Sequence, residues 1–349
     1  IIMLSGIFYG TMYGGTITSV LINTPGEAAS VITAIDGYQM AKQGRAGVAL
    51  GIAAIGSFIG GVVAIVCLSF IGPPLSRFAL NFGPPEYFTL MMLGLLMLVA
   101  LMGQSLVRGL IAAVIGLLLS LIGMDPVSGE IRYTFGQLEL LDGLDFVIVA
   151  MGLFGISEIL INAEKQMSLG KPEKIKGLFP GKGEWGPSFK AIGRGTGLGM
   201  LIGLIPGANA VISSLLSYSL EKRIAKDPSR FGKGAIEGVA GPETANNAYS
   251  GASLIPLFTL GIPSSPTVAV LLGAFIMHGL SPGPKLFQDN PDFVWGVIAS
   301  MFIGNVILLI MNLPLAKLWA KVALIPYKLL FPLILIVTLV GTYSINRSL

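Results

Sequence analysis

The sequence predicts an all-α polytopic membrane protein with two inverted-topology repeats, broken helices and a re-entrant hairpin. This is a secondary-transporter architecture, and an elevator-type transporter is one expected form of it. Charged residues make up only 11% of the 349 residues and hydrophobic residues 53%, whereas about 25% of a soluble domain is charged. The 47 glycines and 21 prolines favour close helix packing and interrupted helices. A soluble globular domain is therefore excluded.

The composition also excludes several kinds of chemistry. The single cysteine, Cys67, rules out an intrachain disulfide and a CxxC metal site, and the single histidine, His278, rules out an HExxH zinc site and a His-based triad. No P-loop is present, so we expect no ATP hydrolysis by this chain and no cofactor. The formal charge of +4 comes from loop residues, which fits the positive-inside rule and predicts no nucleic-acid partner.

Long charge-free runs predict the membrane spans. A helix needs about 20 apolar residues to cross the hydrocarbon core of the bilayer, so most runs fit one crossing and the longest must hold more than one segment. The runs are 1–26, 46–76, 87–107, 109–124, 195–220, 244–284, 293–316 and 329–346, with a shorter one at 146–157 that continues to Ala163.

Loop charges predict how the spans are oriented. The stretches 164–195 and 221–234 are rich in Lys and Arg, whereas 124–145 is acidic, so the first two are predicted to be cytoplasmic and the third external. The apolar run 195–220 then begins and ends on the same side, with Pro206 and Gly207 near its centre. This predicts a re-entrant hairpin, and a kinked crossing helix is the alternative.

An internal repeat relates the two ends of the chain. The stretch from Tyr13 to Pro25 resembles the stretch from Tyr249 to Pro263, about 240 residues later, and further matches follow in order. The following loops differ in charge, which indicates inverted copies with a site at their interface near mid-membrane. We predict a first repeat at 1–103, connecting spans and a cytoplasmic loop at 104–195, and a second repeat at 196–349. The repeats are expected to be truncated at their outer ends, as in a window on a longer chain.

Four polar segments interrupted by Gly or Pro are predicted to lie at membrane depth. They are Ser19–Ser30 (the first break), Leu204–Asn209 (the hairpin tip), Gly241–Asn247 and Gly261–Thr267 (the second break). Helix starts that follow such breaks favour anions, and Asn, Thr and Glu oxygens suit a hard cation such as Na⁺. A packing kink is the alternative for each break. Glu27, Glu237 and Glu243 are costly in hydrocarbon and are therefore expected to be functional, with a solvated position near the helix end as the alternative for Glu237. The predicted substrate-binding residues are Ser19, Asn23, Thr24, Pro25, Gly26, Pro206, Gly207, Asn209, Gly261, Pro263, Ser264 and Ser265. The predicted ion-coupling residues are Glu243, Thr244, Asn246 and Asn247.

These motifs resemble a known family. The stretch Gly10–Gly47, which contains GGTITSVLINTPGEAAS, is similar to the signature of the large membrane subunit of bacterial tripartite tricarboxylate transporters, the TctA family. Similar matches occur at Gly203–Gly207, Gly232–Asn247 and Leu260–Ser264. The sequence departs from the family pattern near Asn209 and at Ser264, where the family usually has Gly, so its substrate preference could differ from that of a citrate carrier.

The resemblance implies a function and partners. It implies a cation-coupled importer of di- or tricarboxylates such as citrate in the bacterial inner membrane, with a small four-helix membrane subunit and a periplasmic substrate-binding protein. The alternative is an ion channel or anion pore that needs no binding protein. Which carboxylate is carried, and whether Na⁺ or H⁺ is the coupling ion, stays open.

Overall fold

The computed structural model describes residues 2–23, 25–83, 106–125, 129–144, 151–157 and 177–316, with isolated residues between and after these ranges. The described part is mostly helical. Its helices are α1 (Ile2–Ile22), α2 (Ser30–Lys42), α3 (Ala46–Ala79), α4 (Leu106–Ser120), α5 (Trp185–Gly203), α6 (Ala210–Ile224), α7 (Glu237–Ala252), α8 (Leu254–Leu260), α9 (Pro266–Met277), α10 (Leu286–Asp289) and α11 (Pro291–Asn312).

A small exception to the all-α expectation lies in the acidic loop. Strands β1 (Gly123–Met124) and β2 (Ile131–Arg132) pair antiparallel. An ion pair between Arg132 and Asp125 joins the two sides of this ladder. Two-residue strands carry no periodicity, so the sequence pattern could not predict them.

The chain divides into two compact units. The first contains Ile1–Gly83 and Met167–Pro326, and the second contains Pro84–Gln166 and Tyr327–Leu349. The first unit holds α1–α3 and α5–α11 and thus much of both predicted repeats. The predicted division into 1–103, 104–195 and 196–349 remains a prediction, and the apolar runs 87–107 and 329–346 lie largely outside the described residues.

Two described helices are long and apolar enough to cross a membrane, namely α3 and α11, and the shorter α9 and Val107–Ser120 are also apolar. Their outer faces expose large apolar side chains, including Phe70 on α3 and Ile303 on α11. Such faces are unfavourable in water and favourable against lipid or against other apolar helices. The composition and these helices together indicate a membrane protein.

The predicted hairpin is a pair of helices, α5 and α6, joined by a turn at 204–209. Arg194 of α5 donates two hydrogen bonds, of 2.7 and 2.6 Å, to the carboxylate of Glu221 near the end of α6. Because this ion pair lies far from the turn, it shows that the two helices run antiparallel. Gly207 in the turn has φ 80°, a conformation that favours glycine. The break at Pro206–Gly207 is therefore confirmed, whereas the re-entrant path of the hairpin and the membrane side from which it enters stay predictions.

The first unit is organised around α7, which is buried along Gly238–Ala252 even though many of its residues are polar. Helix α5 has glycines on the face that contacts α7, so the backbones of the two helices approach closely. A Cβ atom at Gly195 would lie 2.5 Å from the carbonyl oxygen of Gly241, and one at Gly203 would lie 2.8 Å from that of Tyr249. Small residues four apart are the usual means of close helix contact in membranes.

Helix α3 approaches α7 from another side in the same way. A Cβ atom at Gly60 would lie 2.6 Å from the carbonyl oxygen of Thr244, and Gly56 faces the hydroxyl of the same residue. The hairpin adds serines on α6: Ser213 and Ser214 donate hydrogen bonds to carbonyl oxygens of α7, at 3.0 and 3.1 Å. Glycine faces and serine hydroxyls thus surround a polar helix with protein.

One predicted break is wrong. The segment Gly241–Asn247 was expected to interrupt a helix, but it lies inside the continuous helix α7, with Pro242 in the helix interior. Proline removes one backbone hydrogen bond and tends to kink a helix, at a cost of about 3 kcal/mol. The tight packing of α7 against α3, α5 and α6 holds the helix through this position. The polar residues after Pro242 therefore project from a helix and not from a loop.

Candidate functional site

The first break follows α1 and folds back against it. Asn23 has φ 55°, a left-handed conformation that ends the helix, and the Gly26 amide donates to the carbonyl oxygen of Gly15 at 3.3 Å. The Ser19 hydroxyl lies within hydrogen-bond distance of the same carbonyl oxygen, at 2.9 Å, and of the hydroxyl of Ser30, the first residue of α2, at 2.8 Å. The turn is therefore fixed to α1 by side chains that the sequence motif supplies. Thr24 lies outside the described residues.

Glu27 connects this turn to α7. Its carboxylate accepts a hydrogen bond from the Ala29 amide at 2.8 Å, close to the start of α2, and another from the Asn246 side chain at 2.9 Å. Glu27 is only half-buried. A side chain of the first break is thus hydrogen-bonded to a residue of the predicted ion-coupling segment.

Glu243 is a deeply buried carboxylate, with 1% of its surface exposed. Thr16 of α1 donates to one of its oxygens at 2.7 Å, and Thr33 of α2 donates to the other at 2.5 Å. The ion pairs among the described residues do not include Glu243. A buried carboxylate without a cationic partner is costly in a membrane protein and marks a functional position by default.

The second break meets the hairpin turn at one tyrosine. Gly261, with φ 71°, ends α8, and Ser265 accepts a hydrogen bond from the Val268 amide at the start of α9. The buried hydroxyl of Tyr249 on α7 donates to the carbonyl oxygen of Ala208 in the hairpin turn at 2.8 Å. The same hydroxyl lies 3.4 Å from that of Ser264 in the second break.

Three separate turns therefore converge on one face of α7. Asn246 is hydrogen-bonded to Glu27 of the first break, and the Tyr249 hydroxyl contacts both the second break and the hairpin turn. These two residues are three positions apart on a helix, so their Cβ atoms lie about 5–6 Å from each other. No direct contact between Asn23–Gly26 and Pro263–Ser265 is needed for this convergence, because α7 joins them.

Each of the three turns precedes the start of a helix, α2, α6 or α9. Helix N-termini carry unpaired backbone N–H groups and a partial positive charge, which favour anions. Asn209 caps α6 by accepting from the Ile212 amide at 3.0 Å and is exposed, which gives it a structural role. The turns 23–29, 204–209 and 261–265 contain no Lys or Arg, so a bound carboxylate would depend on backbone N–H groups, hydroxyls and amides.

The ion-coupling residues face different neighbours. Glu243 and Asn246 face the first break, whereas Asn247 donates to the hydroxyl of Ser57 on α3 at 2.7 Å. Thr244 donates to the carbonyl oxygen of Ala240 within its own helix and packs against glycines of α3. Among the described residues, no group of three or more His, Cys, Asp and Glu side chains could hold a metal ion.

Sequence reasoning missed several residues of this region as site members. The repeat match includes Tyr249 without predicting a role for it, and Glu27 is expected to be functional without a predicted partner. Thr16, Thr33 and Ser57 were not singled out, because Ser and Thr are common in membrane helices and often bond only to their own backbone. A repeat alignment that also considered polar residues one turn from Tyr13 and Tyr249 would have found Thr16 and Asn246.

Two further acidic residues have defined contacts. Glu237 forms an ion pair with Arg230 at 2.8 Å near the start of α7, and the functional and solvated interpretations both remain predictions. Asp36 of α2 accepts from the amides of Gly234 and Ala235 at 2.7 and 2.9 Å. It thereby fixes the chain that leads into α7.

The helical fold, the apolar helices and the buried polar site where broken segments meet define a membrane transport protein. The chain belongs to the tripartite tricarboxylate transporter TctA family, which matches residues 1–349. This is a family of transporters and not of enzymes, and it implies a system with other subunits. The family expectation from the sequence motifs is thereby confirmed.

Curated relatives come from Agrobacterium vitis. The chain is 50% identical over 350 aligned residues to the "uncharacterized 52.8 kDa protein in TAR-I ttuC' 3'region", a match that covers 100% of this chain and 70% of that protein. It is 54% identical over 150 residues to the "uncharacterized protein in TAR-II ttuC' 3'region", which covers 43% of this chain and 62% of that protein. No solved structure matches the chain.

Proposed function

We propose that this chain is the permease subunit of a binding-protein-dependent, cation-coupled secondary transporter that imports di- or tricarboxylates such as citrate. It acts as a multi-pass protein of the bacterial inner membrane. Its partners are a small four-helix membrane subunit and a periplasmic substrate-binding protein that delivers the carboxylate. The coupling ion is Na⁺ or H⁺.

The observation that carries this proposal is the convergence of three turns on Asn246 and Tyr249 of α7. Broken segments in a membrane protein are tolerated where protein buries them or where they line a wet cavity. Here they bring helix N-termini, suited to carboxylate groups, next to the acidic and amide oxygens of α7, suited to a cation. One region can thus serve both substrate and coupling ion.

The direction of α1 relative to α7 supports the inverted-repeat part of the proposal. Thr16 of α1 contacts Glu243 of α7, and Tyr9 faces Gly251, so residue numbers rise along one helix as they fall along the other. The matching stretches begin in these two helices, at Tyr13 and Tyr249, and the second continues through α8 into the second break. Antiparallel packing of corresponding helices is what a two-fold axis in the membrane plane produces.

Counterflow separates this function from the alternative, a channel or anion pore. Vesicles that contain the full-length protein with both partners are loaded with unlabelled citrate and placed in labelled citrate. We expect transient accumulation of label and saturation with substrate, because a transporter exchanges through a bound state. Linear, non-saturating flux that persists without the binding protein would instead establish a pore.

Cysteine labelling tests the topology that the proposal requires. In a Cys67→Ala background, we expect Lys182→Cys and Lys226→Cys, which lie before and after the hairpin, to react only from the cytoplasm. Asp289→Cys should react only from outside. All three native residues are exposed in the structure. If the first two positions react from opposite sides, α5 and α6 do not form a re-entrant hairpin.

A further inference from the structure

Two buried amide oxygens on α7 lack a hydrogen-bond donor. The Oδ1 atoms of Asn246 and Asn247 have no partner among the described residues, although both residues are at most 1% exposed. Their orientation is fixed by the other end of each amide. Asn246 Nδ2 donates to the Glu27 carboxylate, and Asn247 Nδ2 donates to the Glu243 carbonyl oxygen at 3.0 Å. Turning either amide over would place its oxygen against another oxygen.

Such orphan acceptors require an explanation. An unsatisfied buried polar group costs about 1–3 kcal/mol, and native proteins retain few of them. Water, a ligand or an ion can supply the missing positive partner. The chemical environment of these oxygens decides between them.

A small cavity is lined by two residues that contact Glu243 and Asn247. It measures about 10 Å³ and lies between α1 and α3, with Thr16 and Ser57 in its lining. That volume suits one particle the size of a water molecule. Of these lining residues, Thr16 contacts the Glu243 carboxylate and Ser57 contacts the nitrogen of the Asn247 amide. Two hydroxyls thus connect the cavity to the buried carboxylate and to the side chain that carries one orphan oxygen.

The chemistry of this region is anionic and rich in oxygen. Glu243, Asn246 and Asn247 are three and four positions apart and therefore share a face of α7. Glu243 has hydroxyl donors but no ion-pair partner among the described residues. A carboxylate, hydroxyls and amide carbonyls are the ligands that hard cations prefer.

We propose that a single Na⁺ ion binds between α1, α3 and α7, held by Glu243, Thr16, Ser57 and the amide oxygen of Asn247. This rests on the proposed function and deepens it by naming the coupling ion and its ligands. A proton on Glu243 would neutralise the carboxylate but would leave the Asn247 oxygen without a partner. Asn246, next to Asn247, holds Glu27, so the occupied site would also fix the first break.

Sodium binding can be measured without transport. The full-length protein is purified in detergent without carboxylate, and its melting temperature is followed as NaCl replaces choline chloride at constant ionic strength. A ligand that binds only the folded state raises the melting temperature as its concentration passes the dissociation constant. We expect wild-type protein to be stabilised by Na⁺ and not by choline.

Two variants locate the site. Glu243→Gln removes the charge, and Ser57→Ala removes one hydroxyl with little change in volume, so the second remains informative if the first does not fold. We expect each to raise the half-saturating Na⁺ concentration about tenfold or more. The matched control is Ser214→Ala, which removes another buried hydroxyl that bonds to α7, at Pro242. It should leave the Na⁺ dependence unchanged.

The outcomes separate this site from the proposed function. Absence of Na⁺ stabilisation in the wild type, or unchanged Na⁺ dependence in both variants, would overturn the site. Sodium-driven citrate uptake with unchanged Na⁺ dependence in both variants would support the proposed transport function and would mean that the Na⁺ site lies elsewhere in the protein. Both variants could lose the stabilisation by Na⁺ while the wild-type protein shows no carboxylate uptake. That result would support the Na⁺ site and contradict the proposed carboxylate substrate.

Discussion

Replacing Gly26 with valine is expected to abolish carboxylate uptake, to below about one hundredth of wild type, while leaving membrane insertion intact. A Cβ atom at Gly26 would lie 2.6 Å from the Gly15 Cα and 2.8 Å from the Thr18 hydroxyl, so the turn must move away from α1. Glu27 follows directly, and its bond to Asn246 would move with it. Geometric errors of about 1 Å at a site cost roughly two orders of magnitude in rate.

Gly14→Val is the matched control for this experiment. Gly14 is adjacent to Gly15 on α1, but a Cβ atom there meets nothing within 4 Å among the described residues. Uptake should remain close to wild type, and both proteins should appear in the membrane in equal amounts. Full uptake by Gly26→Val and by a bulky variant of Ser264 would show that both breaks are packing kinks without a role in transport.

Accumulation of citrate should disappear when both the Na⁺ and the H⁺ gradients are collapsed. Moving a trianion into a compartment with an inside-negative potential of about 100 mV costs roughly 7 kcal/mol. This cost corresponds to about a 10⁵-fold difference between the outside and inside concentrations at equilibrium. Co-transported cations must cancel that charge. Uptake into vesicles with ionophores for both ions should therefore fall to equilibration or below, and added ATP should not restore it.

A variant of Glu243 identifies the ion in the same assay. With Glu243→Gln, loss of pH-driven uptake would favour a proton carried by this carboxylate. Retained uptake that still depends on Na⁺, at higher concentrations, would favour a sodium site that uses the neighbouring oxygens. Undiminished accumulation with both gradients collapsed would contradict the secondary-transporter function altogether.

Much of the fold could be predicted from residue chemistry. The breaks at Asn23–Ser30, Leu204–Asn209 and Gly261–Thr267 lie in or next to turns, because Pro and Gly remove hydrogen bonds or permit left-handed backbone. The apolar runs 46–76 and 293–316 correspond closely to α3 and α11. These features are local, and a sequence records local preferences directly.

Other features depend on neighbours distant in sequence and were missed. Pro242 was expected to break a helix, but the glycine faces of α3 and α5 and the serines of α6 hold α7 continuous. The role of Tyr249 depends on Ala208, 41 positions away, and the donors of Glu243 are more than 200 positions away. Tertiary packing of this kind leaves no periodic signal in a single sequence.

The burial of α7 has a consequence for how the protein is made. A helix that contains Glu243, Asn246 and Asn247 is too polar to leave the translocon for lipid by itself, since insertion scales assign about 2.5–3.5 kcal/mol to each charged residue at the helix centre. The helices that pack around α7, namely α3, α5 and α6, precede it in the chain and are therefore synthesised first. We therefore expect α7 to insert against helices that have already been synthesised, so that the order of synthesis keeps the polar residues of the candidate site away from lipid.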